Sequence, residues 1–162
     1  MAEKVLVRID SRLIHGQVVT RWIQRTQANR IIIVDDTLAK DSFMAEVYKM
    51  AAPANVKVDV YTIEQTIENW SKNEKDKIMF LFKGVHEVVK AWEEGFKYTK
   101  LQIGGIGSAP GRTTVHKNIT LSQKEVDSLQ ELRKEGLEIT LHILPDEREI
   151  DFQSIVEKYF KN

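Results

Sequence analysis

Short runs that are apolar on both faces constrain this chain more than any other feature. Ile31-Ile32-Ile33-Val34 and Ile78-Met79-Phe80-Leu81-Phe82 would put apolar side chains on both sides of a strand, because successive strand residues point to opposite faces. Such strands belong in a parallel sheet covered by helices on each side. Val5-Leu6-Val7-Arg8-Ile9, the run 56–61, the shorter Leu101-Gln102-Ile103 and the alternating run 137–144 read as further strands. Helical spacing fills the gaps between them. Val18, Val19, Trp22 and Ile23 form one stripe. Phe43, Val47 and Met50 form another, with Asp41-Ser42 as its N-cap and Pro53 ending it. Ile63, Ile67 and Trp70 follow, then Val85, Val88, Val89 and Trp92, closed by Gly95. Ser122 and Glu125 make a capping box ahead of Val126, Leu129 and Leu132, and Gly136 stands at the C-cap. Phe152, Ile155, Val156 and Tyr159 mark a terminal helix. Repeated strand–helix units imply an α/β fold, an open and mostly parallel sheet with helices on both faces. No Pro/Gly/Ser-rich linker divides the 162 residues, so 1–162 reads as a single domain.

Composition removes several classes of function. The 24 basic and 24 acidic residues cancel, which leaves no global attraction to nucleic acid or to an anionic membrane. The absence of cysteine excludes disulfides, thiolate metal sites and cysteine nucleophiles, and suits a cytoplasmic protein. The four histidines share no metal-ligand spacing, so neither a metal nor another cofactor is expected. Met1-Ala2-Glu3-Lys4 leads straight into a strand without the pattern of a signal peptide. The apolar runs fall far short of the roughly 20 residues a membrane helix needs. No direct membrane insertion is expected, and a membrane role would run through a partner.

In a doubly wound sheet, ligands bind beyond the carboxyl ends of the strands. The richest such loop is the first, Asp10-Ser11-Arg12-Leu13-Ile14-His15-Gly16-Gln17. His15 lies just before a helix, where free backbone N–H groups and the helix dipole favour an anion. Gly16 permits close approach, Arg12 adds positive charge, and Arg8 adds more if the strand geometry allows. Ser11 and Gln17 complete the polar set. A neutral imidazole has a lone pair that can attack phosphorus, and phosphoryl transfer asks mostly for positioning and charge stabilisation. Asp10 either holds the ring tautomer or orients Arg12. Against this stands the commoner fate of a lone loop histidine, a polar surface group or a satisfied core residue. His86 reads as exposed, His116 as a loop residue and His142 as packed within a strand.

The glycine-rich stretch 104–112 matches no phosphate-binding loop, since it lacks G-x-x-x-x-G-K-[ST] and Pro110 stands where G-x-G-x-x-G needs its last glycine. It is either an ordinary loop or one whose small residues pack against the phosphate site. Asp35-Asp36 resembles the acidic pair of receiver domains, but it follows the second strand rather than the first. A helix-capping or loop role is the simpler expectation.

The stretch Arg8-Ile9-Asp10-Ser11-Arg12-Leu13-Ile14-His15-Gly16-Gln17-Val18 resembles the active-site loop of the mannose/fructose/sorbose-class IIB components of the bacterial phosphoenolpyruvate-dependent sugar phosphotransferase system. The resemblance continues through Val34-Asp35-Asp36, Asp41, Met50-Ala51-Ala52-Pro53, Gly104-Gly105-Ile106-Gly107 and Leu144-Pro145, so it covers essentially the whole chain. It implies a protein-histidine:sugar phosphotransferase that is its own covalent intermediate. A phosphorylated IIA histidine would pass its phosphoryl group to His15. His15 would pass it to a sugar during uptake through membrane IIC and IID components, with the carrier cytoplasmic and held at the membrane by those partners. The resemblance also places Arg12 on the phosphate, makes Asp10, Arg8 and the loop backbone secondary candidates, and points to ring Nδ1. Two other classes compete. A regulatory binding module with the fold but no transfer would normally lack His15 or Arg12. A hydrolase using His15 and Asp10 would need a nucleophile elbow, G-x-S-x-G, that the chain does not have.

Overall fold

The computed structural model describes residues 1–161. Its elements run β1 (Glu3–Asp10), α1 (Gly16–Thr26), β2 (Arg30–Val34), α2 (Ser42–Met50), β3 (Lys57–Tyr61), α3 (Ile63–Asn69), β4 (Lys77–Phe82), α4 (Val85–Glu93), β5 (Lys100–Gly105), β6 (Thr113–His116), β7 (Ile119–Leu121), α5 (Gln123–Lys134), β8 (Glu138–Leu141), β9 (Ile150–Asp151) and α6 (Phe152–Tyr159). Seven strands form one sheet in the order β3-β2-β4-β1-β5-β8-β9. Every neighbouring pair is parallel except β8 and β9. This is the open, mostly parallel sheet expected from the doubly apolar runs.

The alternation along β2 and β4 shows why those runs are apolar throughout. Ile31, Ile33, Met79 and Leu81 enter a cluster with Val19 and Trp22 of α1. Ile32, Val34, Phe80 and Phe82 enter the opposite cluster, with Val85 and Val88 of α4, Leu129 of α5 and Phe152 of α6. All eight strand residues are at most 1% exposed. A polar substitution at any of them would bury a group without a partner.

Three local details depart from the sequence reading. The apolar stripe of α2 faces solvent, with Phe43 74%, Val47 41% and Met50 81% exposed. The helix turns its smaller Ala45, and Tyr48, toward the core instead. The late strand stops at Leu141, because the chain bends there and aims the His142 and Ile143 carbonyls at a buried arginine. A β6–β7 hairpin and the two-residue β9 went unread, being too short to show a period.

Capping follows the sequence closely. The Asp41 carboxylate accepts from the Met44 N–H at 3.1 Å. Ser122 Oγ accepts from the Glu125 N–H at 3.2 Å, while Glu125 Oε1 accepts from the Ser122 N–H at 3.1 Å. Ser122→Ala should therefore lower stability by about 1 kcal/mol, read as a fall in the urea midpoint at unchanged slope. Asp35 and Asp36 also cap: Asp35 Oδ1 accepts from the Thr37 and Leu38 N–H groups, and Asp36 Oδ1 from the Ile63 N–H that opens α3. Lys90 and the Ile63 N–H hold the Asp36 carboxyl below its ordinary range.

Candidate active site

Chain topology places His15 beyond the carboxyl end of β1. The chain leaves β1 into α1, on one face of the sheet, and reaches α5, on the other face, after β5. Because β1 and β5 are neighbours, the two exits diverge at their carboxyl ends and leave a gap there. The loop between β1 and α1 fills part of that gap. Its Ser11 N–H donates to the Gly105 carbonyl at 2.9 Å, and its Leu13 N–H closes a turn onto the Asp10 carbonyl at 2.9 Å.

Leu13 holds the loop in place. Its φ of 58° lies in the left-handed region, which costs a non-glycine residue about 1–2 kcal/mol. The side chain is fully buried among the α1/α2 residues, and burying a leucine returns about 1.5–3 kcal/mol. Burial offsets the backbone cost, so the leucine anchors the turn. Gly16, with φ +47°, then starts α1 from a conformation that suits glycine.

Asp10 organises the site. It is 2% exposed at the end of β1, and Oδ1 accepts from the Arg12 backbone N–H at 3.0 Å. Oδ2 lies 2.9 Å from His15 Nε2. A carboxylate only accepts, so this bond places the proton on Nε2 and leaves the lone pair on Nδ1. Of the two groups considered as partners of Asp10, the ring of His15 is met by Oδ2, and Arg12 only through its backbone N–H. His15, with 18% of its side chain exposed, is the N-cap residue of α1 and makes no side-chain cap bond. The first turn of α1 contains no acidic residue, so nothing there competes for the positive helix end.

The remaining candidates divide by depth. Arg12 is exposed, and among the described residues its guanidinium has no hydrogen bond or ion pair. Gly16 and Gln17 lie exposed at the start of α1, and Ser11 is half-buried and engages through its backbone. Ser11 Oγ makes no hydrogen bond to His15, so the hydrolase geometry is absent among the described residues. Arg8, a secondary candidate for the phosphate, is buried. It is 1% exposed and lies behind Asp10, with Nη2 3.5 Å from Asp10 Oδ2, because both faces of β1 are covered there, Val7 and Ile9 on the other face being buried too. Burial, opposed by Asp10, lowers its pKa to about 10, so it is charged at neutral pH.

Three partners of Arg8 escaped the sequence reading. The Gln102 side-chain carbonyl accepts from Nη1, the His142 carbonyl accepts from Nη1 at 2.8 Å, and the Ile143 carbonyl accepts from Nη2 at 3.1 Å. Trp22 Nε1 also donates to the Ile143 carbonyl, at 2.9 Å. The signal available was a glutamine inside an apolar strand, since buried amides need partners. The glycine stretch resolves into two parts. Gly104 and Gly105 pack against Arg8 and Asp10, the close-approach alternative, while residues 107–111 are exposed. His86 is exposed, as expected, and His142 packs edge-on against Trp22, though just past the end of β8 rather than within a strand. Among the described residues no group of acidic or histidine side chains could hold a metal, and no helix is long and apolar enough to cross a membrane.

Comparison with known proteins gives the family of the chain. The family model for the "PTS system sorbose subfamily IIB component" matches residues 4–162. The sorbose-specific EIIB component of Lacticaseibacillus casei is 33% identical over 157 residues, which cover 96% of each chain. The mannose-specific EIIAB component of Escherichia coli is 30% identical over 158 residues, and the chain spans 49% of that protein's length. The crystal structure of manxB from Thermoanaerobacter tengcongensis superposes with a TM-score of 0.91 at 38% identity, covering 99% of both chains. The IIBSor domain of the Klebsiella pneumoniae sorbose permease gives 0.89 at 28% identity, covering 97% of this chain and 98% of that one. The chain belongs to the sorbose-subfamily IIB components of the phosphotransferase system, and is a mannose/sorbose-class phosphotransferase protein.

Proposed function

We propose that His15 carries the phosphoryl group on Nδ1, taking it from a phosphorylated IIA protein or domain and passing it to a sugar. Components of this family accept a phosphoryl group from IIA and transfer it to sugar. The observation that carries the assignment is the Asp10–His15 bond, which occupies Nε2 and leaves Nδ1 bare at the amino end of α1. Arg12 supplies the mobile positive charge over the phosphoryl oxygens. Ser11, Gly16 and Gln17 line the loop around it, and Arg8 acts from behind Asp10. The reaction needs no cofactor in this reading. Residues 1–162 work as one IIB unit on the cytoplasmic side, docking to membrane IIC and IID components for the sugar step.

The test is labelling in a phosphoenolpyruvate-driven cascade with purified IIA. The expected product is label on this protein that is acid-labile and base-stable, needs charged IIA, and needs no nucleotide. Acid-stable label, or label independent of IIA, overturns the reading. Arg12 gives a second check. Losing a charge that acts only in the transition state typically costs about 10²–10³ in rate, while exposed side chains change stability by about 0.5 kcal/mol or less. Arg12→Ala should therefore slow transfer from IIA about a hundredfold at nearly unchanged Tm. Normal transfer by the variant would remove Arg12 from the mechanism.

A further inference from the structure

We infer that Gln102, in the middle of β5, is a positioning residue for transfer at His15, acting through Arg8 and Asp10; the inference rests on His15 being the carrier. Gln102 is 3% exposed in a strand whose neighbours Leu101 and Ile103 are fully buried. A buried amide costs stability unless its hydrogen bonds are made, and an aliphatic residue would fill the position without that demand. What glutamine supplies is a neutral acceptor for Arg8 Nη1. A carboxylate in its place would neutralise the guanidinium and draw it away from Asp10. The amide fixes the guanidinium and leaves its charge for Asp10.

The surroundings over-determine that position. The His142 and Ile143 carbonyls accept from Nη1 and Nη2, and the Trp22 ring lies 5.5 Å from Arg8 Cζ. The pairing of β1 with β5 skips one residue here, from Ile9–Ile103 to Asp10–Gly105. The skipped residue is Gly104, where a Cβ would overlap the guanidinium. Gln102, Arg8, Asp10 and His15 thus form one hydrogen-bonded and ion-paired chain from the sheet interior to the reacting ring.

The chain has a defined task in the step. The His15 Nδ1 lone pair forms the new N–P bond as the donor histidine's N–P bond breaks, and that bond's electron pair stays on the donor nitrogen. The Nε2 proton stays on the His15 ring, which gains positive charge and keeps its hydrogen bond to Asp10. Arg8 holds the Asp10 carboxylate aimed at Nε2, and offsets the negative charge that an incoming phosphoryl group would otherwise meet.

The experiment compares wild type, Gln102→Leu and Gln102→Glu. It measures kcat and KM for transfer from charged IIA, and nitrogen NMR of the His15 ring to read which nitrogen carries the proton. Gln102→Glu keeps the shape and an acceptor, so it guards against a leucine variant that fails to fold. Both variants should show a mixed tautomer, with kcat lower by about tenfold, roughly 1.4 kcal/mol on the barrier, and KM for IIA unchanged. A folded variant with the wild-type tautomer and the wild-type kcat overturns the inference. Failure of wild type to accept label on His15 overturns the carrier reading instead, a result the NMR arm keeps separate.

Discussion

Replacing His15 by alanine should abolish acid-labile labelling, lowering the transfer rate by at least about three orders of magnitude, as loss of a covalent nucleophile does. None of the other histidines has the same setting. His86 is exposed on the first turn of α4, where Glu87 shares the helix end. His142 Nε2 is engaged by the Glu147 carbonyl at 2.8 Å, and the ring packs on Trp22. His116 is half-buried in the short hairpin. Among the described residues, only His15 combines a carboxylate on one ring nitrogen with the open end of an acid-free helix turn. The variant should stay folded, because it forfeits one partly exposed hydrogen bond, a change of about 1 kcal/mol. The measurement is label per mole of protein after exposure to charged IIA, beside a urea melt. Equal label on the variant and wild type would place the acceptor elsewhere and remove the central assignment.

The parts of this site that were legible in sequence are those that a local pattern specifies. The eight residues from Asp10 to Gln17 concentrate a carboxylate, a cation, a histidine and a glycine at a strand-to-helix turn, and the turn lies where the doubly apolar strands predicted it. The capping box at Ser122 and the N-cap at Asp41 were legible for the same reason, since their partners are three residues apart. What stayed hidden depends on contacts distant in sequence. Gln102 is 94 residues from Arg8, and the His142 carbonyl is 134 residues from it. The depth of Arg8 follows from the central place of β1 between β4 and β5, covered on both faces, and only the packed sheet decides that. The exposed stripe on α2 shows the opposite error, where a helical period was real but did not say which side faces the core. The relatives' names span sorbose and mannose, so similarity along the whole chain does not by itself name the sugar.

The largest expected effect on stability is at Arg8. Arg8→Met keeps much of the buried volume and adds flexibility that suits an irregular gap, but it leaves the Asp10 carboxylate, 2% exposed, without its nearby cation. It also strips the Gln102 side chain and the His142 carbonyl of a donor. Removing one partner of a buried ion pair typically costs about 3–5 kcal/mol. The pair itself is a different matter. Burial lowers Arg8 to about 10 even with Asp10 beside it, so its charged form is less favoured inside the fold than in water. The fold therefore carries a cost for this cation at neutral pH. The double variant Arg8→Met with Asp10→Asn, which removes both charges, should recover about half or more of the lost stability, since charge removal in pairs is often neutral. It should recover none of the transfer rate. Urea midpoints for the two single variants and the double variant, with transfer rates alongside, give the cycle. Additive losses in stability would mean that the two residues do not act as a pair. Recovery of stability without recovery of rate would mean that this buried arginine is kept for the orientation of His15 and not for the fold.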